Sequence, residues 1–145
     1  MRVMVMVKAT EDSEQGRMPT PELAEAMMAY NEQLVQAGIL VAGDGLKPSS
    51  AGVRVHFDGS DRTVSEGPFA NVGDLVAGFW IWEVESMAHA VGWVKKCPNP
   101  MFGPSDIDIR PFYPMADFGD AFSPELQALG ERLDAEVDAK HGKYM

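Results

Sequence analysis

The sequence predicts an α+β fold of the ferredoxin-like kind, a βαββαβ sheet with one extra helix after it. Two segments, Arg2–Lys8 and Ala77–Val84, are apolar on both faces, as strands at the centre of a covered sheet are. Each is followed by a capped stretch whose apolar residues recur at helical spacing. Between the two units lies a hairpin signal, Val53–Phe57 and Arg62–Ser65 around Asp58-Gly59-Ser60-Asp61.

In the first strand Val alternates with Met, and a polar loop, Thr10–Met18, follows it. Pro19-Thr20-Pro21-Glu22 then opens a helix, with Thr20 as N-cap, Pro21 at the first helical position and Glu22 facing the positive dipole end. Leu23, Met27, Tyr30 and Leu34 form its apolar stripe, and Gly38 supplies a left-handed stop. Ile39–Ala42 leads into Gly43-Asp44-Gly45, a permissive turn carrying one carboxylate. The hairpin places Val53, Val55 and Phe57 on one face and Arg54 and His56 on the other. Glu66-Gly67-Pro68-Phe69-Ala70 is a stiff elbow between the hairpin and the next strand, because Gly opens backbone angles closed to other residues and Pro fixes φ. Phe69 is its expected buried anchor. In Ala77–Val84, Phe79 and Ile81 lie opposite Trp80 and Trp82. Ser86 caps the second helix, striped by Met87, Val91 and Val94 and ended by Pro98. Ile107 and Ile109 alternate with charged residues in a half-exposed last strand. After a turn-rich aromatic segment, Ser123-Pro124-Glu125 opens a helix with Leu126, Leu129, Leu133 and Val137 on one side.

Two helices cover one face of a sheet. Trp80, Trp82 and half of the first strand therefore call for cover on the other face, since a large apolar side chain left in water forfeits roughly 1.5–3 kcal/mol. The sheet of a second copy is the economical source, and a homodimer is expected.

A chain of 145 residues suits one domain with its own core, and 46% apolar residues are too many for disorder. No apolar run reaches the length of a membrane span, and the N-terminal one is too short for a secretory signal. The net charge of −10, with no basic stripe to offset it, argues against nucleic acid and anionic lipid as partners. A single cysteine, Cys97, permits no internal disulfide and no thiolate metal site, which makes the cytoplasm the simplest compartment. His56, His89 and His141 are too scattered for a metal template, so no metal is expected. No phosphate loop and no dinucleotide fingerprint is present, and no cofactor is expected either.

Glu66-Gly67-Pro68-Phe69-Ala70 resembles the motif that gives the DGPF proteins their name, a group within the YCII-related family. Ala42-Gly43-Asp44-Gly45-Leu46, Gly78-Phe79-Trp80 and Cys97-Pro98 extend the resemblance in the same order. It suggests a domain over residues 1–113 and a C-terminal extension with an amphipathic helix over 114–145. The resemblance implies a dimeric α+β barrel, two ferredoxin-like sheets facing each other. It further implies a cleft in which some relatives use a His-Asp pair, a dehydrochlorinase activity in one branch, and in other members a link to sigma factors of the extracytoplasmic-function type. Asp44 lies near the family's acid, whereas Ala26-Met27, where the histidine would fall, carries none.

Asp44 between two glycines suits a general base in a cleft, or a turn residue held by its own side-chain hydrogen bonds. Arg54 and His56 on one face form a pair able to hold a small anionic molecule, or a solvated edge. Tyr30 on the helix stripe lines a pocket or fills the core. Two functions compete. One is a cofactor-independent small-molecule enzyme of the lyase, isomerase or dehalogenase type, with Asp44 and His56 as acid-base pair and Tyr30 and Arg54 as ligand contacts. The other is a non-catalytic ligand-binding or regulatory module serving sigma-factor-dependent transcription, with the leucine stripe of the last helix as its docking face.

Overall fold

The computed structural model describes residues 1–142. Its element order is β1 (Arg2–Lys8), α1 (Glu11–Glu14), α2 (Pro21–Gln36), β2 (Leu40–Gly45), β3 (Val53–Asp58), β4 (Asp61–Glu66), β5 (Val76–Glu83), α3 (Met87–Val94), β6 (Ile107–Pro111) and α4 (Pro124–His141). The main sheet is antiparallel with strand order β2-β5-β1-β6, the ferredoxin-like arrangement, and β3-β4 forms a separate hairpin inserted between β2 and β5.

The helix caps are those the sequence predicts: Thr20, Ser86 and Ser123 accept from the backbone N–H three residues on. Gly38, with φ +73°, ends α2. Two local features differ from expectation. The loop after β1 contains α1, one helical turn held by a reciprocal capping box between Thr10 and Ser13. Gly43-Asp44-Gly45 is no turn but the end of β2, paired with Trp80, Phe79 and Gly78.

Register fixes the two faces of the sheet. Val3, Val5 and Val7 pair with Trp82, Trp80 and Gly78 on one side and with Pro111, Ile109 and Ile107 on the other. Residues directly opposite share a face, and this is the face that packs on Tyr30 and Leu34 of α2 and Ala90 of α3. The tryptophans therefore belong to the helix-covered core, not to the open side as the sequence suggested. Strand alternation shows which residues are opposed, but it does not say which side the helices take. The opposite face carries Met4, Met6, Phe79 and Ile81; Ile81 is buried, and the other three are half-buried. Val3, Val5, Leu34 and Trp82 are sealed from solvent, each contributing about 1.5–3 kcal/mol of burial. Trp82 Nε1 has no acceptor among the described residues. No helix among those residues is long and apolar enough to cross a membrane.

The elbow after the hairpin is built on Ser49. The Glu14 carboxylate accepts from Ser49 N at 2.8 Å and, through its other oxygen, from Ser49 Oγ. Ser49 Oγ in turn accepts from Phe69 N at 3.0 Å. Gly67 N donates to Gly52 O at 2.9 Å, and the Gly67–Pro68 bond is cis. A Cβ on residue 67 would lie 1.8 Å from the Ser49 carbonyl oxygen, so backbone alone fits there. Phe69 is half-buried beneath the Arg54 guanidinium, 4.1 Å from its ring centre, rather than sunk in the core.

Gly67→Ala should accordingly cost at least 1–3 kcal/mol, about the cost of overpacking, because the obstruction is rigid main chain. Val64→Ala on the exposed hairpin, 64% accessible, should stay within about 0.5 kcal/mol. Urea melts of the two variants check this; equal midpoints would show that the elbow does not constrain the fold.

Candidate functional site

A cleft of about 610 Å³ runs between α2 and the edge of the sheet formed by β2. α2 supplies Leu23, Met27 and Asn31 to one wall, and β5 supplies Trp80 to the other. Met18 and Met101 close it from the loops, and Asp44 is the one ionisable residue along it. Thioethers on flexible stems adapt to irregular apolar guests, so the lining suits a hydrophobic molecule of uncertain outline.

The back wall is held in place from behind. Asn31 Oδ1 accepts from Trp80 Nε1 at 3.0 Å, which fixes the indole. Tyr30 meets Trp80 edge-on with ring centres 6.0 Å apart, and Trp82 stands 5.8 Å from Trp80. Gly43 lets the indole lie close against β2, because a Cβ there would come within 2.8 Å of Trp80 Cδ1. Asp44 pairs with Phe79, and its carbonyl oxygen lies so near Gly78 that a Cβ there would come within 3.2 Å of it.

The sequence-predicted site residues are distributed over three places. Asp44 is exposed at the β2 edge of the cleft, opposite Phe79 and so on the sheet face turned away from α2. Tyr30 is buried behind the Trp80 wall, and its hydroxyl donates to Trp93 O at 2.6 Å. Arg54 and His56 stand on the exposed hairpin, paired with Ser65 and Thr63, and neither lines the cleft. The chain thus does not bring Asp44 and His56 into one cavity. Asn31, Met18 and Met101 were absent from the sequence reading. Asn31 could have been suspected, since it follows Tyr30 on a helix that otherwise presents apolar residues to the sheet. The methionines carry no spacing signal.

Other ionisable groups act locally. His89 Nδ1 accepts from Glu85 N at 3.1 Å and completes the α3 cap with Ser86. Burial pushes the Cys97 thiol up to about 11. Burial first, and then the adjacent Cys97, hold the Tyr30 phenol above its ordinary range. Among the described residues no three His, Cys, Asp or Glu side chains are grouped to hold a metal ion. On the open face a second hollow of about 710 Å³ lies among Met4, Ile81, Phe112 and Tyr113.

The YCII-related domain matches residues 1–113. Among solved structures, a 5-chloro-2-hydroxyhydroquinone dehydrochlorinase from Burkholderia phenoliruptrix AC1100, in complex with 2,5-dihydroxybenzoquinone, is similar at 22% identity. The match covers 74% of this chain and 91% of that one, with a TM-score of 0.40. No curated protein matches the chain.

Cys97 should be a poor nucleophile. Iodoacetamide at pH 8 should alkylate it on the order of 100-fold more slowly than free cysteine, because so little thiolate is present. The folded thiol keeps its proton to about 11 while the unfolded chain releases it near 9, so stability should fall as pH rises through that window. Alkylation at the rate of free cysteine would show that the thiol is not shielded.

Proposed function

Since the chain belongs to the YCII-related domain family, we propose that it is a cofactor-independent enzyme that performs acid-base chemistry on a small organic molecule bound in the α2–β2 cleft. The observation that carries this reading is a cleft walled by methionines and Trp80, along which Asp44 is the one ionisable residue. A general base needs a positioned oxygen and a substrate held against it, with water largely displaced. Trp80, fixed by Asn31, offers a flat surface for an unsaturated ring or chain. Asp44 removes a proton beside an activating group, and elimination or isomerisation follows. The reading assigns no catalytic role to His56, and Tyr30 acts by holding the Trp80 wall.

A second reading rests on a different observation. Leu126, Leu133 and Val137 of α4 are about half exposed, at 47%, 49% and 55%, an apolar stripe open to a protein partner. In that reading the domain is a regulatory module whose ligand alters what α4 binds.

The assembly we propose is a homodimer through the face that carries Met4, Met6 and Phe79, whose partial exposure favours a second copy. Light scattering at micromolar concentration should give twice the 15.8 kDa chain mass, and Met6→Glu should shift it to monomer. A monomeric wild type would remove this part of the proposal.

The enzyme reading is tested by deuterium exchange into small carbon acids, followed by proton NMR. Asp44→Asn should slow exchange by roughly 10²–10⁴-fold, the usual weight of a general base, with ligand affinity nearly unchanged. Ligands that bind in the cleft but never exchange would favour the regulatory reading.

A further inference from the structure

The cleft does not end at Asp44. A second hollow of about 370 Å³ continues from it, sharing Met18, Leu46, Ala77 and Met101 as walls. The chemistry changes along this groove: the extension is lined by Arg17 and Lys47, whereas the main cleft has no basic side chain. Arg17 is engaged, 3.5 Å from Asp12 and with its guanidinium 3.6 Å from the centre of the Phe102 ring. The nearby Glu14 carboxylate is occupied by Ser49 N and Oγ. Lys47 has no carboxylate within ion-pair distance among the described residues, and it is exposed. The basic end of the groove thus holds one cation with no counter-charge in contact.

We infer that the groove takes an amphipathic organic acid, with its apolar body in the methionine-lined cleft and its carboxylate or sulfonate at Lys47. This inference rests on the cleft being the ligand site and names the class of ligand it takes. Three features support it together. The volume of the main cleft is that of a drug-sized apolar body. The unpaired charge lies in the extension rather than scattered around the rim. Asp44, the one acidic residue along the main cleft, is absent from the extension, which keeps like charges apart. The head-group partner is therefore not Arg54, whose guanidinium is stacked on Phe69 outside the groove.

Two fluorescent probes with the same ring system separate head from body: 8-anilinonaphthalene-1-sulfonate and its uncharged analogue N-phenyl-1-naphthylamine. Titrations on the full chain should show that Lys47→Gln weakens the sulfonate roughly 5-fold, as for one solvent-screened charge contact, and leaves the neutral probe unchanged. Lys47→Arg should restore sulfonate binding. Ala24→Trp, which fills the cleft, should weaken both probes, and Leu23→Gln serves the same purpose if that variant does not fold. Sulfonate affinity unaffected by Lys47→Gln, in a protein where the cleft variants still weaken both probes, would overturn the inference and spare the cleft. Binding of both probes that is indifferent to the cleft variants, with unchanged circular dichroism, would remove the cleft as ligand site and the inference with it.

Discussion

The contact between the backbone of Gly67 and that of Ser49 constrains more of this molecule than its area suggests. Ser49 lies shortly before β3 and Gly67 directly after β4, so the contact closes the base of the inserted β3-β4 hairpin. Glu14 extends the junction to α1 by binding Ser49 through both N and Oγ. Three separate stretches of chain are thereby fixed at one point, with a charged acceptor satisfying donors that would otherwise be left without partners. The exit of β2 carries Leu46 and Lys47, so the same junction sets the basic end of the groove. A motif that looks like a signature for chemistry is, in physical terms, a clamp on three stretches of chain.

Most of the fold was legible because it rests on local rules. Thr20-Pro21-Glu22, Ser86 and Ser123-Pro124 mark their helices through backbone donors that need acceptors, whatever the tertiary context. The valine-methionine alternation of β1 and the aromatic run of β5 placed the central strands. The misreadings were about partners. Glycine at 43 and 45 suggested a turn because the sequence could not show that Trp80 would press against residue 43. Val91 looked inward at helical spacing yet is exposed, and Ala90 takes the buried position in the short α3. The side of the sheet taken by Trp80 and Trp82 depended on where α2 and α3 packed, which alternation leaves open.

The site was only partly legible for a related reason. Asp44 could be singled out by its neighbours in sequence, but a cleft is a relation between elements distant in the chain. Its walls come from α2, β5 and two loops, and Met18 and Met101 enter it without any periodic pattern. The pairing of Asp44 with His56 was read from the cleft that the resemblance implies and from the face on which alternation puts His56. Within the chain the inserted hairpin holds His56 outside the cleft that Asp44 lines, so shared chemistry by the two has no geometric basis there.

Charge distribution joins these observations into one account of the groove. The chain carries a net charge of −10, so a free anion approaches against the field of the whole surface. Screening confines long-range repulsion to about 8 Å at physiological ionic strength, and within that distance the local cation decides. Lys47 alone contributes only modestly when solvated, since exposed ion pairs are worth about 0–1 kcal/mol. Binding must then draw most of its free energy from the apolar body, which the methionine and tryptophan walls can supply at roughly 25 cal/mol per Å² of buried apolar surface. In the proposed binding mode the head group sets orientation and the body supplies affinity. In that proposed mode a weak charge contact acts through alignment rather than through affinity, because it fixes which way the apolar body lies along the cleft.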